Sequence, residues 1–325
     1  PDQLVTEHAL QIASKLPAKL NVKEAHPSTF GNPNGGAAVV GSGPVSALGV
    51  FLGQEVLRFN RLLALMQSSL VDLQRAIKGL VVMSGQLDEV FGAIMYGKVP
   101  PLWAQAAYPS LKPLSSWYRD LLERLTMARE WLTSGPPDSF WLSGFFFPQG
   151  FITGALQMHA RKTKIPIDTL LFQNRVTQHM IQETDKAVDD GEDQAAEDGS
   201  GGEKEDAGSA FGGITEAPSS GVYIHGLFME GARWDNRRGH LAESEKGELF
   251  TALPVVWMEP VDSNTPNAPN SYACPVYKES TRQGVLSTTG HSTNFVMHMQ
   301  LKSPDGISPD RWQVRGAALL CQLDD

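Results

Sequence analysis

Residues 140–149, with the sequence FWLSGFFFPQ, place five aromatic side chains within eight positions. Before this stretch, apolar residues recur every three or four positions, which is the period of an amphipathic helix. After about residue 167 they alternate, which is the period of a strand. The stretch therefore predicts a hydrophobic seam between a helical half and a β half. The alternative is an interaction surface for a neighbouring domain, made by Trp141, Phe145, Phe146 and Phe147.

Residues 1–166 predict a helical subdomain of about five or six helices. The longest helix has two apolar rows on one face, 59–66–73–80 and 63–70–77, over about three heptads. Shorter helices are predicted within 1–20 and 85–97, between Pro113 and the stop at 135–137, and from Pro148 onward. The Gly/Pro-rich residues 27–47 predict a mobile loop.

Residues 167–325 predict a β subdomain with turn-rich connections. Six segments have strand character: 170–180, 222–229, 253–258, 271–277, 294–301 and 312–323. Strands without intervening helices favour a small antiparallel barrel or a sandwich. Helices first and strands afterwards indicate the α+β class.

The net charge of −9 belongs to one segment of the 325 residues. Residues 183–206 hold eleven of the 36 acidic and two of the 27 basic residues, which leaves 25 of each elsewhere. We therefore expect a disordered acidic insertion at about 184–219 and a body that binds neither nucleic acid nor an anionic membrane. An acidic docking segment is the alternative for the insertion.

Motifs for chemistry are weak in this sequence. The Walker A spacing GxxxxGK[ST] does not occur, since Val99 follows the pair Gly97-Lys98. Ser287 and His291 form the best nucleophile and base pair, but no GxSxG elbow surrounds them, and a turn explains them more simply. His225 lies in a predicted strand and suits a structural hydrogen bond. We expect no catalytic, cofactor or metal site.

Several long motifs resemble the C-terminal region of dynein heavy chains, and they occur in the same order. They are YPSLKPL at 108–114, FWLSGFFFPQ at 140–149, YIHGLFMEGARWD at 223–235, CPVYK at 274–278, STTGHSTN at 287–294 and RGAALLC at 315–321. They contain His225, Arg233, Trp234 and His291, which are therefore candidate structural or interface residues. The versions FFFPQ and STTGHSTN are more similar to axonemal than to cytoplasmic dyneins.

The resemblance implies a helical array followed by a small, incomplete β-barrel that lies on the AAA+ ring of the same heavy chain. It implies a non-catalytic domain that modulates ring stability, communication between modules, processivity and force. ATP and Mg²⁺ would bind to upstream AAA+ modules, so we expect a piece of a larger motor. The implied location is the cytoskeleton, in the axoneme of a cilium or flagellum, with other axonemal dynein subunits as further partners.

Two alternatives remain open at this point. One is a binding module for an axonemal or cytoskeletal partner, which would use the acidic insertion or the aromatic seam. The other is a hydrolase built around Ser287 and His291. The acidic insertion is longer than the connection that is usual in the family, and loop closure makes such added length inexpensive, at about 0.6 kcal/mol per doubling.

Overall fold

The computed structural model describes residues 2–30, 46–180, 214, 216–284 and 293–324. It confirms the α+β class, with helices in the first half and most strands in the second. The helices are α1 Asp2–Lys15, α2 Pro27–Phe30, α3 Ala47–Ile77, α4 Gly85–Met95, α5 Pro101–Ala104, α6 Leu114–Ser134, α7 Pro148–Thr163 and α8 Asp310–Val314. Within the described residues, none of these helices is long and apolar enough to cross a membrane.

Local chemistry sets the ends of the main helices. The Ser46 hydroxyl accepts a hydrogen bond from the Gly49 amide at 3.4 Å and caps α3, and Ser84 caps α4 in the same way through Leu87. Pro148 lies in the first turn of α7, where a missing amide hydrogen costs nothing. Gly135, with φ of +100°, ends α6.

The predicted loop at 27–47 is partly wrong. Pro27–Phe30 forms α2, and α3 already includes Ala47, twelve residues before the first apolar row begins. The remainder of that segment, 31–45, lies outside the described residues. Leu80 follows the end of α3 and is 69% exposed, so it does not extend the buried row.

The described strands number eleven rather than six, because the predicted segment 222–229 divides into two strands and four short strands lie outside the predicted segments. They are β1 Ser139–Trp141, β2 Leu170–Val176, β3 Val222–His225, β4 Phe228–Glu230, β5 Arg233–Asp235, β6 His240–Ala242, β7 Phe250–Ala252, β8 Val256–Asp262, β9 Ser271–Tyr277, β10 Phe295–Lys302 and β11 Ala318–Leu320. The segment 312–323 is a strand only in β11, since Trp312–Val314 belongs to α8.

Three sheets form from these strands, with orders β1-β3-β8-β2, β10-β9-β11-β4-β7 and β5-β6. The pairs β1–β3 and β11–β9 are parallel, so the purely antiparallel arrangement is wrong. Within the described residues these sheets do not close into a barrel. Most of the predicted acidic insertion, residues 184–213 and residue 215, lies outside the described part of the protein.

Strand β1 joins the two halves. It lies within the aromatic stretch, yet Phe140 is in register with Ile224 of β3 in the second half. One continuous buried core consequently includes Leu63 and Leu70 of α3 as well as Met258 of β8. The halves share their hydrophobic core.

The backbone passes from one sheet to another between β3 and β4 at Gly226, whose φ is +84°. A Cβ atom there would overlap the Trp141 indole. Gly239 has a similar φ of +66° but faces open space, with no atom within 4 Å of an added Cβ. The two glycines therefore share the left-handed conformation and differ in packing.

We predict that Gly226→Ala lowers the free energy of unfolding by about 2–4 kcal/mol, from left-handed strain and overpacking together. Gly239→Ala should cost about 1 kcal/mol, from backbone strain alone. Urea unfolding followed by tryptophan fluorescence measures both values. Equal losses for the two variants would contradict the tight packing of Trp141 against residue 226.

Candidate functional site

The aromatic stretch is mostly buried between α3, α6, α7 and the sheet. The Phe145 ring lies 4.9 Å from Phe51 and 5.1 Å from Phe151, measured between centroids. The Phe146 ring meets Phe59 of α3 edge-on at 4.8 Å. Such offset and edge-to-face pairs add about 0.5–1.5 kcal/mol each beyond their buried area.

Phe147 differs from its neighbours, because its side chain is 42% exposed. Two cations flank its ring: the Arg58 guanidinium at 5.6 Å and the Lys278 ammonium at 5.9 Å from the centroid. Lys278 follows β9, so this ring contacts a cation from each half of the protein. Burial lowers the pKa of Lys278.

A buried carboxylate, Glu55 of α3, fixes the backbone of the aromatic stretch. Its side chain is 1% exposed, and its Oε2 accepts a hydrogen bond of 2.7 Å from the Phe146 amide. Its Oε1 pairs with Arg58 at 2.6 Å. Burial raises the pKa of Glu55, and the hydrogen bond from the Phe146 amide opposes this shift.

A second buried ionic group lies on α6. The Arg124 guanidinium donates through Nε to Asp120 at 2.7 Å and stacks 3.6 Å above the centre of the Tyr108 ring. The centre of the Trp141 ring lies 5.4 Å from the same guanidinium. The Lys112 ammonium lies 3.5 Å from the Asp120 carboxylate. Arg124 is only 1% exposed, so this charge is compensated entirely by protein groups.

The last described residues pack on the same region. Gln322 donates through Nε2 to the carbonyl oxygen of Pro109, and Cys321 is buried beside it. A cavity of about 10 Å³ remains between Tyr108, Arg124 and Cys321. That is room for about one water molecule, and not for a substrate.

His225 is a structural histidine in this geometry. Its Nδ1 lies 2.8 Å from the Ser139 hydroxyl, which links β3 to β1 beyond their backbone ladder. Burial lowers the pKa of His225 to about 4, so the ring is neutral near pH 7.

Arg233 and Trp234 lie in the hairpin of β5 and β6, away from the aromatic stretch. Arg233 donates through Nε to the Glu243 carbonyl oxygen at 3.1 Å. The Glu243 carboxylate in turn pairs with Arg311 and Arg315, each at 2.6 Å. Arg233 thus orders the backbone at Glu243, which links the hairpin to the α8 region. Trp234 is in register with Leu241 of β6 and packs against the buried core.

The structure leaves part of the predicted chemistry open. Ser287 and His291 lie outside the described residues. Among the residues that are described, no cluster of three or more histidine, cysteine, aspartate or glutamate side chains could hold a metal ion. Cys274 and Cys321 are both free and buried, and burial raises the pKa of each thiol.

Sequence reasoning missed Glu55, Asp120 and Arg124. A signal for the last two exists: they are spaced i, i+4 and fall beside Trp117 and Leu121 on the apolar face of α6, where a charged pair must find a buried partner. Glu55 carries no comparable signal, because its partner is a backbone amide 91 positions away.

We predict that Glu55→Ala lowers the free energy of unfolding by about 2–4 kcal/mol, since it leaves the buried Phe146 amide unpaired. Glu55→Gln keeps an acceptor and should cost less than about 1.5 kcal/mol at neutral pH. Urea titrations of the three proteins at pH 4 to 8 measure these differences. Equal losses in the two variants would contradict a role for the hydrogen bond.

The same titrations carry a pH test. Because the folded-state pKa of Glu55 is raised above its ordinary value of 4.5, the folded state holds this proton more tightly than the unfolded state. The wild type should therefore gain stability relative to Glu55→Gln as the pH falls through the raised pKa toward 4.5. A difference that does not change with pH would contradict the burial of the charge.

Comparison with known proteins identifies the family of this sequence. The family model for the C-terminal domain of the dynein heavy chain matches residues 1–321. Dynein axonemal heavy chain 3 of Mus musculus is 42% identical over 328 residues, which covers 100% of this chain and 7% of that protein. Dynein axonemal heavy chain 6 of Homo sapiens is 40% identical over 329 residues, again with 100% and 7% coverage.

Dynein axonemal heavy chain 1 of Homo sapiens is 44% identical over 278 residues, or 86% of this chain and 6% of that protein. The chain thus spans less than a tenth of the length of these relatives. The family match nevertheless covers nearly all of its residues. The chain belongs to the family of C-terminal domains of dynein heavy chains.

Proposed function

We propose that this chain is a non-catalytic, regulatory and structural domain of an axonemal dynein heavy chain, where it packs on the AAA+ ring of the same polypeptide. One observation carries the proposal: the buried charges at the junction of its halves are all bound by groups of the domain itself. Glu55 holds the Phe146 amide, and Arg124 holds Asp120 and Tyr108. Such a junction makes a rigid body rather than a reactive cleft.

The chemical work of the motor takes place elsewhere in this proposal. ATP and Mg²⁺ bind to AAA+ modules that precede the domain, and the microtubule is bound by other parts of the heavy chain. The complete protein works in the axoneme of a cilium or flagellum, beside other axonemal dynein subunits. The relatives support this assignment, since each of them is an axonemal dynein heavy chain.

A rigid domain can regulate a ring by binding one arrangement of its modules more tightly than another. Differential affinity shifts the population of ring states, and the shift changes ring stability, communication between modules, processivity and force. Rigidity matters here because a domain with a soft hinge between its halves would absorb a displacement of the modules instead of transmitting it. The shared core and the Glu55–Phe146 hydrogen bond supply that rigidity.

The partner-binding alternative keeps only a small part of its aromatic surface, where Phe147 is 42% exposed. Phe145 and Phe146 are buried within the domain, so they are not available to a neighbouring protein. The acidic insertion, which lies mostly outside the described residues, still offers a surface for an axonemal or cytoskeletal partner. Separate deletions of the whole domain and of the insertion distinguish the two functions.

We predict that removal of residues 1–325 alters the microtubule-stimulated ATPase rate of the heavy chain about fivefold or more, the usual scale of coupling between sites. The isolated domain should not hydrolyse ATP. A heavy chain that lacks only residues 184–210 is the matched control and should keep the rate of the intact protein. An unchanged rate after removal of the whole domain, or hydrolysis by the isolated domain, would contradict the proposal.

If deletion of 184–210 alone reproduces the full effect, the acidic insertion is the functional element and the partner-binding alternative is correct. That result would leave the fold as a scaffold, since the contacts of Glu55 with Phe146 and of Arg124 with Asp120 join residues outside this range. Co-purification of axonemal proteins with the intact and the shortened protein would then identify what the insertion binds.

A further inference from the structure

One end of the helical half carries an exposed apolar surface. The turn between α3 and α4 has the sequence LVVM at residues 80–83, and Val82 is 90% exposed while Leu80 is 69% exposed. Met83 is also exposed. We call this surface the 80–83 face. Adjacent apolar side chains left in water are typical of surfaces that bind another protein segment.

A groove of about 390 Å³ adjoins the 80–83 face. Its apolar walls come from Leu65 of α3, Leu87 of α4 and Leu102 of α5, and Val81 and Val82 form one edge. Asp72 carries the charge among the lining residues, and Arg75 lies 3.9 Å from it. Its remaining lining residues are neutral and polar: Ser68, Ser69, Ser84 and Gln86. The groove therefore suits a polypeptide segment that combines apolar side chains with hydrogen-bonding groups.

The direction of α1 shows which end of this helix lies beside the 80–83 face. Leu20, just after α1, exchanges two hydrogen bonds of 2.8 Å with the Asn60 side chain in the middle of α3. Earlier, within α1, the Ile12 carbonyl oxygen accepts a hydrogen bond of 3.0 Å from Tyr118.

Tyr118 lies next to Trp117, which stacks on Trp103 with 6.2 Å between ring centroids. Trp103 in turn donates through its indole nitrogen to Ser69 of α3 at 2.9 Å. Ile12 therefore lies level with Ser69, whereas Leu20 lies level with Asn60. Helix α1 runs antiparallel to α3.

The start of α1 consequently points toward the C-terminal end of α3. From Ile12 back to Asp2 the helix extends about 15 Å, and α3 extends about 12 Å from Ser69 to Ile77, so the start of α1 reaches that end. Contacts of α1 with both α3 and α4 agree with this placement. Asp2 and the 80–83 face thus lie at the same end of the helical half.

The relatives place a long polypeptide before this domain. The match to this chain covers 7% of dynein axonemal heavy chains 3 and 6. The family that matches is the C-terminal domain of dynein heavy chains. In a protein of that length, the preceding polypeptide reaches the domain through the start of α1, beside the groove.

We infer that the 80–83 face and its groove dock an amphipathic segment of the preceding part of the same heavy chain, with its apolar side chains on the 80–83 face. The inference rests on the proposed function and specifies where the ring side contacts the domain. The short path from Asp2 to the groove gives such a segment a high effective concentration, so even a small apolar contact is occupied.

A thiol-protection experiment tests the inference. Val82→Cys places a thiol on the face, and Val314→Cys is the matched control, because Val314 of α8 is 89% exposed and lies in the β half. The native Cys274 and Cys321 are buried, so they react slowly with a maleimide. Peptide-resolved mass spectrometry gives the alkylation rate at each introduced thiol, in the isolated domain and in the intact heavy chain.

We expect the rate ratio of Val82→Cys to Val314→Cys to fall about tenfold or more in the intact heavy chain, which corresponds to about 1.4 kcal/mol of protection. An equal ratio in the two proteins would overturn the inference. A rate for Val82→Cys that falls with rising concentration of the isolated domain would also overturn it, because a second copy would then be the occupant.

The outcome is separable from that of the proposed function. An intact heavy chain whose ATPase rate depends on the domain, but whose Val82→Cys thiol reacts freely, would keep the regulatory function and discard this docking surface. Protection of Val82→Cys in a heavy chain whose ATPase rate is the same with and without the domain would support the docking surface and contradict the proposed regulation.

Discussion

The hydrogen bond from the Phe146 amide to the buried Glu55 carboxylate is the constraint on which the rest of the structure depends. It joins the first third of the longest helix to the stretch that enters the sheet, across 91 positions of sequence. A carboxylate this deeply buried is tolerated only where a donor and a cation compensate it. Arg58 and the Phe146 amide do so, and the aromatic rings on either side consequently pack in one arrangement.

Around that bond, charged side chains contact aromatic rings within and between the two halves. Arg124 stacks on Tyr108 and lies near Trp141, while Phe147 contacts Arg58 from α3 and Lys278 from the β half. Buried ion pairs contribute little net stability, but they penalise misaligned packing because a displaced charge loses its partners. The junction thus favours a single relative placement of helices and sheets, which a domain needs if it is to transmit movements of a ring.

Much of this fold follows from sequence periodicity, and the exceptions have physical reasons. The apolar rows of α3 and the alternation in β9 are local signals, and both elements appear where these patterns predict them. Strand β1 was missed because three residues pair in parallel with a distant strand, and no local pattern encodes that. Trp312 belongs to a helix instead of a strand because its ring packs inward and donates to Ser303, a contact that alternation cannot reveal. The role of Glu55 could not be predicted for the same reason, since its partner is the backbone amide of a residue distant in the sequence.

Hydrogen exchange at the Phe146 amide tests the central claim most directly. If Glu55 holds this amide in a junction shared by both halves, it exchanges only when the whole domain unfolds, as slowly as the amides of Leu63 and Leu70 in the core of α3. Exchange at Phe146 that is much faster than in α3, with a separate unfolding transition for each half, would contradict the account.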